Sequence, residues 1–146
     1  MDKPVWIGAD HAGFVLKEYL KNRLNDAGIS FFDAGTFSQE SVDYPDFAAE
    51  VARAVQDGRA RLGILVCGSG EGMAMAANKF SGIRAGVAWN TEVAELLVQH
   101  NQAQIICLGA RFTAPDYAWL MVKAFMEARF EAGNHQRRVD KMNAFC

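Results

Sequence analysis

The chain has 146 residues, 51% of them hydrophobic, and its 15 basic and 17 acidic side chains leave a formal net charge of −2. That is one domain's length, enough to bury a core without disulfide or metal staples, and 11% aromatic residues with only three prolines exclude disorder. A balanced charge with no long basic run argues against a sequence-independent grip on nucleic acid, which depends on neutralising phosphates.

Cys67, Cys107 and Cys146 form no CxxC pair and no even framework, so neither a zinc site nor a secreted disulfide scaffold is expected. The chain reads as a reduced, cytoplasmic protein. The opening segment MDKPVWIGAD is too poor in apolar residues for a signal sequence. No apolar run approaches the ~18 residues of a membrane span.

In chain order, residues 5–9 form a short apolar strand that ends in Asp10-His11-Ala12-Gly13. Leu16, Leu20 and Leu24 then recur at helical spacing, and Gly28 closes that helix. Residues 29–32 read as a second strand; Tyr44-Pro45-Asp46 opens a helix carrying Phe47, Ala48, Val51, Ala52 and Val55, which Gly58 ends. Residues 62–67 are a third strand running into Gly68-Ser69-Gly70-Glu71-Gly72, with a small-residue helix over 73–79. A strand over 84–89, a helix over 91–100 capped by Thr91, a strand over 104–108 and a long helix over 114–130 complete the series. Five such pairs predict a parallel sheet covered on both faces, a Rossmann-like three-layer α/β/α sandwich. The tail, 133–146, carries His135-Gln136-Arg137-Arg138 and reads as an amphipathic helical segment that must dock on something.

In such a sheet ligands bind beyond the carboxyl ends of the strands, where strand order reverses. Asp10 and His11, Cys67 with its glycine loop, His100-Asn101 and Gly109-Ala110-Arg111 are all expected at that one edge. The 68–72 loop lacks the last glycine of GxGxxG and the lysine of a P-loop, which disfavours a dinucleotide or nucleoside triphosphate. Its glycines leave backbone N–H groups free to meet an anion, although glycines alone more often mark a tight turn. Cys67, beside those N–H groups, is a candidate thiolate base or nucleophile; a lone cysteine in such a place is more often a small core residue. Cys107, within an apolar strand, is read as core. His100 ends a helix, where the dipole favours imidazolium and a proton donor, or simply a helix cap. His11, Arg111 and the Arg137-Arg138 pair are ordinary surface charges when each is taken singly. Together, a base, an acid, an anion-holding loop and cations form the constellation of a catalytic site.

Gly8-Ala9-Asp10-His11-Ala12-Gly13, Asp43-Tyr44-Pro45, Cys67-Gly68-Ser69-Gly70-Glu71-Gly72, Ala76-Ala77-Asn78-Lys79, Gly82-Ile83-Arg84, Gln99-His100-Asn101, Gly109-Ala110-Arg111 and His135-Gln136-Arg137-Arg138 occur in this order. The ordered set resembles the type B ribose-5-phosphate isomerases of the ribose/galactose isomerase family over nearly the whole chain. The resemblance implies a metal-independent and cofactor-free aldose–ketose isomerase, working through an enediolate in homodimers with sites at the subunit boundary.

It further implies Cys67 as the base moving a proton between C2 and C1, with the Gly68, Gly70, Glu71 and Gly72 backbone and the Ser69 hydroxyl holding the enediolate oxygens. His100 is implied as the acid that opens the furanose ring, and Asp10 and Asn101 as partners of sugar hydroxyls. His11, Arg111 and Arg138 are implied as phosphate ligands, Arg138 coming from the partner subunit's tail. Some relatives carry a glutamate base just after the loop; Met73 stands there, so the chain follows the cysteine type. Ser69 stands where threonine is common, and Asn134 where the pattern has arginine. The lost cation leaves open a hexose 6-phosphate, such as allose or galactose 6-phosphate, as substrate. A non-catalytic flavodoxin-like anion-binding module shares the same element order.

Overall fold

The computed structural model describes residues 3–146. Five strands, β1 (Val5–Ala9), β2 (Phe31–Asp33), β3 (Gly63–Cys67), β4 (Ala85–Val87) and β5 (Ile105–Gly109), form one parallel sheet in the order β2-β1-β3-β5-β4. Six helices accompany them: α1 (Phe14–Asp26), α2 (Tyr44–Gln56), α3 (Glu71–Ala77), α4 (Thr91–Gln99), α5 (Pro115–Glu127) and α6 (Asn134–Asn143). The predicted α/β/α sandwich is therefore the observed one.

The period-2 alternation of the strands divides the core. Ile7, Ile64, Val66, Ile106 and Leu108 face Leu16, Leu20, Leu24, Trp119, Val122 and Phe125 of α1 and α5, with Ala94 of α4. Trp6, Leu65, Cys67, Ile105 and Cys107 face Ala48, Val51, Ala52, Met73 and Ala77 of α2 and α3. Because β1, β3 and β5 are buried on both faces, they read as continuous apolar runs. Fully burying a leucine such as Leu20 or Leu24 contributes about 1.5–3 kcal/mol.

Several predicted boundaries move, each for a local reason. The second strand begins at Phe31, because Ile29 still donates its N–H to Leu24 O at the end of α1. The fourth is only Ala85–Val87, since the Arg84 N–H goes to the Gln104 side chain. Helix α3 begins at Glu71, before Met73, and α5 stops at Glu127, where Ala128 turns extended. Asn90, rather than Thr91, caps α4: its side chain accepts the Val93 N–H at 2.7 Å. At the edge of the sheet the Asn78 side-chain amide donates to Ala85 O and accepts from Ala85 N–H, both at 2.8 Å.

One buried charge braces the first crossover. Lys17 is fully buried, and its Nζ donates to Asp33 at the end of β2 (2.7 Å) and to Glu18 (2.9 Å). Lys21 adds a contact of 2.8 Å to the same Asp33 oxygen. Burial pushes the Asp33 carboxyl up, but hydrogen bonds from Lys17, Lys21 and the Gly35 N–H outweigh it and hold it below its ordinary value.

Candidate active site

Strand order reverses between β1 and β3, and the chain emerging from the carboxyl ends of these two strands builds a cleft of about 630 Å³. From β1, Asp10 is buried and accepts the Gly13 N–H at 3.1 Å, which closes the turn into α1. His11 accepts the Val42 N–H on Nδ1 at 3.2 Å. In the neutral ring this leaves the proton, and a donor, on Nε2.

From β3, Cys67 ends the strand, and its Sγ accepts the Gly70 N–H at 3.2 Å. That bond exists because Gly70 turns into the left-handed region (φ 82°), where glycine carries no penalty. A Cβ on Gly70 would also come within 3.0–3.2 Å of the Leu108 and Gly109 backbone. Ser69 Oγ accepts the Glu71 N–H at 3.3 Å, and the N–H groups of Gly68, Ser69 and Gly72 have no protein acceptor among the described residues. Arg111 donates its N–H to Gly68 O at 3.0 Å and lies with its guanidinium against Gly68. An acceptor-poor loop, a thiol and a cation thus share one cleft, which suits an anion whose charge develops on oxygen. Cys107, behind Cys67, is different: full burial, and to a lesser degree Cys67, pushes its thiol far above the usual range.

Asp10, His11, Cys67, Gly68, Ser69, Glu71, Gly72 and Arg111 line this cleft, with Glu71 exposed at its rim. His100, Asn101 and Arg138 do not. A crossover helix returns across the sheet, so α4 starts at the carboxyl edge and ends at the amino edge, and the single-edge expectation for His100 and Asn101 is corrected accordingly. Asn101 O is bonded by Arg84, the residue just before β4, and Asn101 lines a separate cavity of about 400 Å³ with Arg84, Met142 and Phe145. Strands of five residues, rising about 3.3 Å each, put roughly 15 Å between the two edges.

At this second locus His100 stacks on His135 (centroids 4.1 Å, interplanar angle 12°), and both Nε2 atoms face Glu131 Oε1, at 3.6 and 3.8 Å. Helix α6 is held to its own chain through Val139, 1% exposed, while Asn134, Arg137 and Arg138 remain exposed. The two imidazoles and the carboxylate lie within 4.8 Å of one another. A ligand nitrogen binds along its ring plane, and one ion cannot occupy two stacked, nearly parallel planes, so this arrangement is not a formed metal site.

Sequence reasoning missed Tyr44, Met75 and Phe112, which also line the cleft, and the Glu131–His135 companions of His100. Tyr44 was legible in principle: it follows β2 at the carboxyl edge, and the absence of a Cβ at Gly72 lets its ring lie there, 2.6 Å from where that atom would be. Met75 and Phe112, which line the cleft, are 69 and 81% exposed, and Trp89, just beyond the carboxyl end of β4, is 68% exposed.

A family model described as Ribose/Galactose Isomerase matches residues 5–142. The chain is 42% identical over 142 residues to "Ribose-5-phosphate isomerase B" of Escherichia coli (strain K12), covering 97% of this chain and 95% of that one. It is similar to the crystal structure of a ribose 5-phosphate isomerase from Thermotoga maritima (TM-score 0.96, 41% identity, 99% of each chain). It is also similar to ribose-5-phosphate isomerase B from Mycoplasma genitalium with bound ribulose-5-phosphate (TM-score 0.93, 37% identity, 99% of this chain and 97% of that one). By sequence and by fold, the chain belongs to the ribose/galactose isomerase family.

Proposed function

We propose that this protein interconverts D-ribose 5-phosphate and D-ribulose 5-phosphate by proton transfer, without metal or cofactor, in a homodimer whose two sites each use residues of both chains. The observation that carries the reading is the Cys67 thiol at the head of a glycine loop in which the Gly68, Ser69 and Gly72 N–H groups lack a protein acceptor among the described residues, in a cleft that also holds His11 and Arg111. The division of candidate residues between two edges supports the dimer, because one chain cannot bring its own His100 to its own Cys67. The exposed Met75, Trp89 and Phe112 supply apolar surface for such a contact.

In this mechanism the phosphate is bound by His11, Arg111 and the partner's Arg138. The partner's His100 protonates the furanose ring oxygen, which opens the sugar, while Asp10 and the partner's Asn101 orient hydroxyls. The Cys67 thiolate takes the proton from C2, leaving charge on O1 that the Gly68 and Ser69 N–H groups stabilise as an enediolate. The Cys67 thiol, whose proton exchanges with solvent during the lifetime of the enediolate, then protonates C1. O1 gains a proton as O2 loses one, an exchange between neighbouring oxygens that the Ser69 hydroxyl relays, and C2 becomes the carbonyl. A positioned base accounts for roughly 10²–10⁴-fold of the rate. No helix among the described residues is long and apolar enough to cross a membrane, and a phosphorylated sugar substrate accords with a cytoplasmic site of action.

The test is incubation with ribose 5-phosphate in chelator and heavy water. Ketose carrying deuterium at C1 is expected; absence of ketose overturns the reading. Allose and galactose 6-phosphates run in parallel decide the substrate, and faster turnover of a hexose would replace the pentose in this assignment.

A further inference from the structure

We propose that Arg84 is a positioning residue for the isomerisation, fixing the turn that carries His100 and Asn101 and tying it to the tail helix that carries Arg138. The inference rests on the function proposed above, in which those three residues serve the partner's site.

The guanidinium of Arg84 is half-buried and forks over neutral oxygens alone. Its Nε donates to Asn101 O at 2.8 Å, one terminal nitrogen to Gln102 O at 2.9 Å, and the other to Asn143 Oδ1 at 2.8 Å and Gly82 O at 3.3 Å. Its own backbone N–H goes to Gln104 Oε1 at 2.8 Å, and Gln104 Nε2 returns to Gly82 O at 2.8 Å, which fixes where the arginine starts. No carboxylate pairs with it among the described residues. Partly burying a cation without a counter-charge is costly, so its acceptors must compensate.

Asn101 O and Gln102 O lie just beyond the carboxyl end of α4, where the helix dipole favours a positive charge. Gln102 is also one of only two non-glycine residues with positive φ among the described residues (φ 49°), a conformation that persists only where neighbours hold it. Arg84 holds it by the carbonyl, and the same side chain reaches Asn143 at the end of α6. One guanidinium thereby couples the acid-bearing turn to the tail. A lysine, with a point charge and no planar fork, cannot span Asn101, Gln102 and Asn143 together.

The two half-reactions separate this role from a general loss of structure. In ribulose 5-phosphate the hydroxyl that would close a five-membered ring on C2 carries the phosphate, so this sugar is already open. Exchange of its C1 hydrogen with solvent needs the Cys67 thiolate to take that proton, trade it and return it, and needs no ring opening. Conversion of ribose 5-phosphate needs both steps.

The experiment compares wild type, Arg84→Lys and Arg84→Ala. It follows ribose 5-phosphate turnover and C1 deuterium uptake by ribulose 5-phosphate in heavy water, with oligomeric state measured by sedimentation. Misplacing a catalytic group by about 1 Å costs on the order of 10²-fold. Ribose 5-phosphate turnover is therefore expected to fall by that order in Arg84→Ala and nearly as far in Arg84→Lys, while exchange at saturating ribulose 5-phosphate stays within a few-fold of wild type. Equal loss of both reactions in Arg84→Lys, in a folded protein of unchanged assembly, overturns the inference, as does full turnover in either variant. Inactivity of the wild type in both assays would instead sink the proposed function.

Discussion

The division of the site between opposite sheet edges predicts complementation between inactive chains. On the proposed mechanism Cys67→Ala removes the base and His100→Ala the ring-opening acid, and each loss is worth on the order of 10²–10⁴-fold in rate, so either homodimer should retain at most about 1% activity. When the two variants are unfolded, mixed in equal amounts and refolded, random pairing makes half of the dimers hybrids. In a hybrid, one site receives both defects and the other receives neither, because its Cys67 comes from one chain and its His100 from the other. About one quarter of all sites should then be intact, and the mixture should regain about one quarter of wild-type turnover. The assay is ribose 5-phosphate conversion, with hybrids counted by native mass spectrometry through a mass tag on one variant. Mixing His100→Ala with Arg138→Ala provides the control. Both defects lie on the same half-site, so every hybrid site keeps one of them and activity stays low. Verified hybrids with no recovery in the first mixture would refute the shared site, and the roughly 15 Å between the edges would need another explanation.

Three further outcomes follow from the same geometry. Iodoacetamide should inactivate the enzyme through Cys67 and also label exposed Cys146, leaving Cys107, buried with its thiol held far toward the protonated form, unmodified by peptide mapping; labelling of Cys107 in folded protein would contradict this. Gly70→Ala forces a side chain into positive φ against the Leu108 and Gly109 backbone, so urea unfolding should show a loss of about 1–3 kcal/mol together with lost turnover; unchanged stability would count against the strained loop. Asp33, whose carboxyl is depressed in the fold, stabilises the protein above its unfolded value and ceases to do so as pH falls through the folded one, so Tm should drop below about pH 4. Asp33→Ala, which leaves buried Lys17 with Glu18 as its remaining carboxylate partner, should cost about 1–3 kcal/mol at pH 7 and flatten that acid limb.

The strands and helices were legible because their periodicities differ and because glycines and prolines punctuate them. The cleft was legible from Cys67, the glycine loop, Asp10 and Arg111, each of which directly follows a strand. His100 was misplaced because it follows a helix, and a helix that returns over the sheet delivers its last residue to the far edge. The cap on α4 was assigned to Thr91 by propensity, yet Asn90, one residue earlier, has the extended backbone that lets its side chain reach the Val93 N–H. Glu131 and His135 could not be foreseen beside His100, since their proximity depends on how the tail folds back after α5, and no local pattern encodes that angle. The Asp43-Tyr44-Pro45 motif by itself gives Tyr44 no role, because only the loop's close approach at Gly72 shows what its ring covers.

The side-chain amide of Asn78 has a consequence away from catalysis. Ala88 donates its N–H to Cys107 O, so alternate residues of β4 face β5 and Ala85 presents its N–H and C=O outward from the sheet. Asn78 occupies both groups, doing for Ala85 what a sixth strand would do. A free edge is a template on which another chain can add a strand, and partly folded intermediates are most exposed to that hazard. Asn78 thus acts as a gatekeeper: it denies β4 its sticky rim with a group too short to propagate the ladder. Replacing it by alanine should show up first as aggregation during refolding, with little change in the chemistry at Cys67.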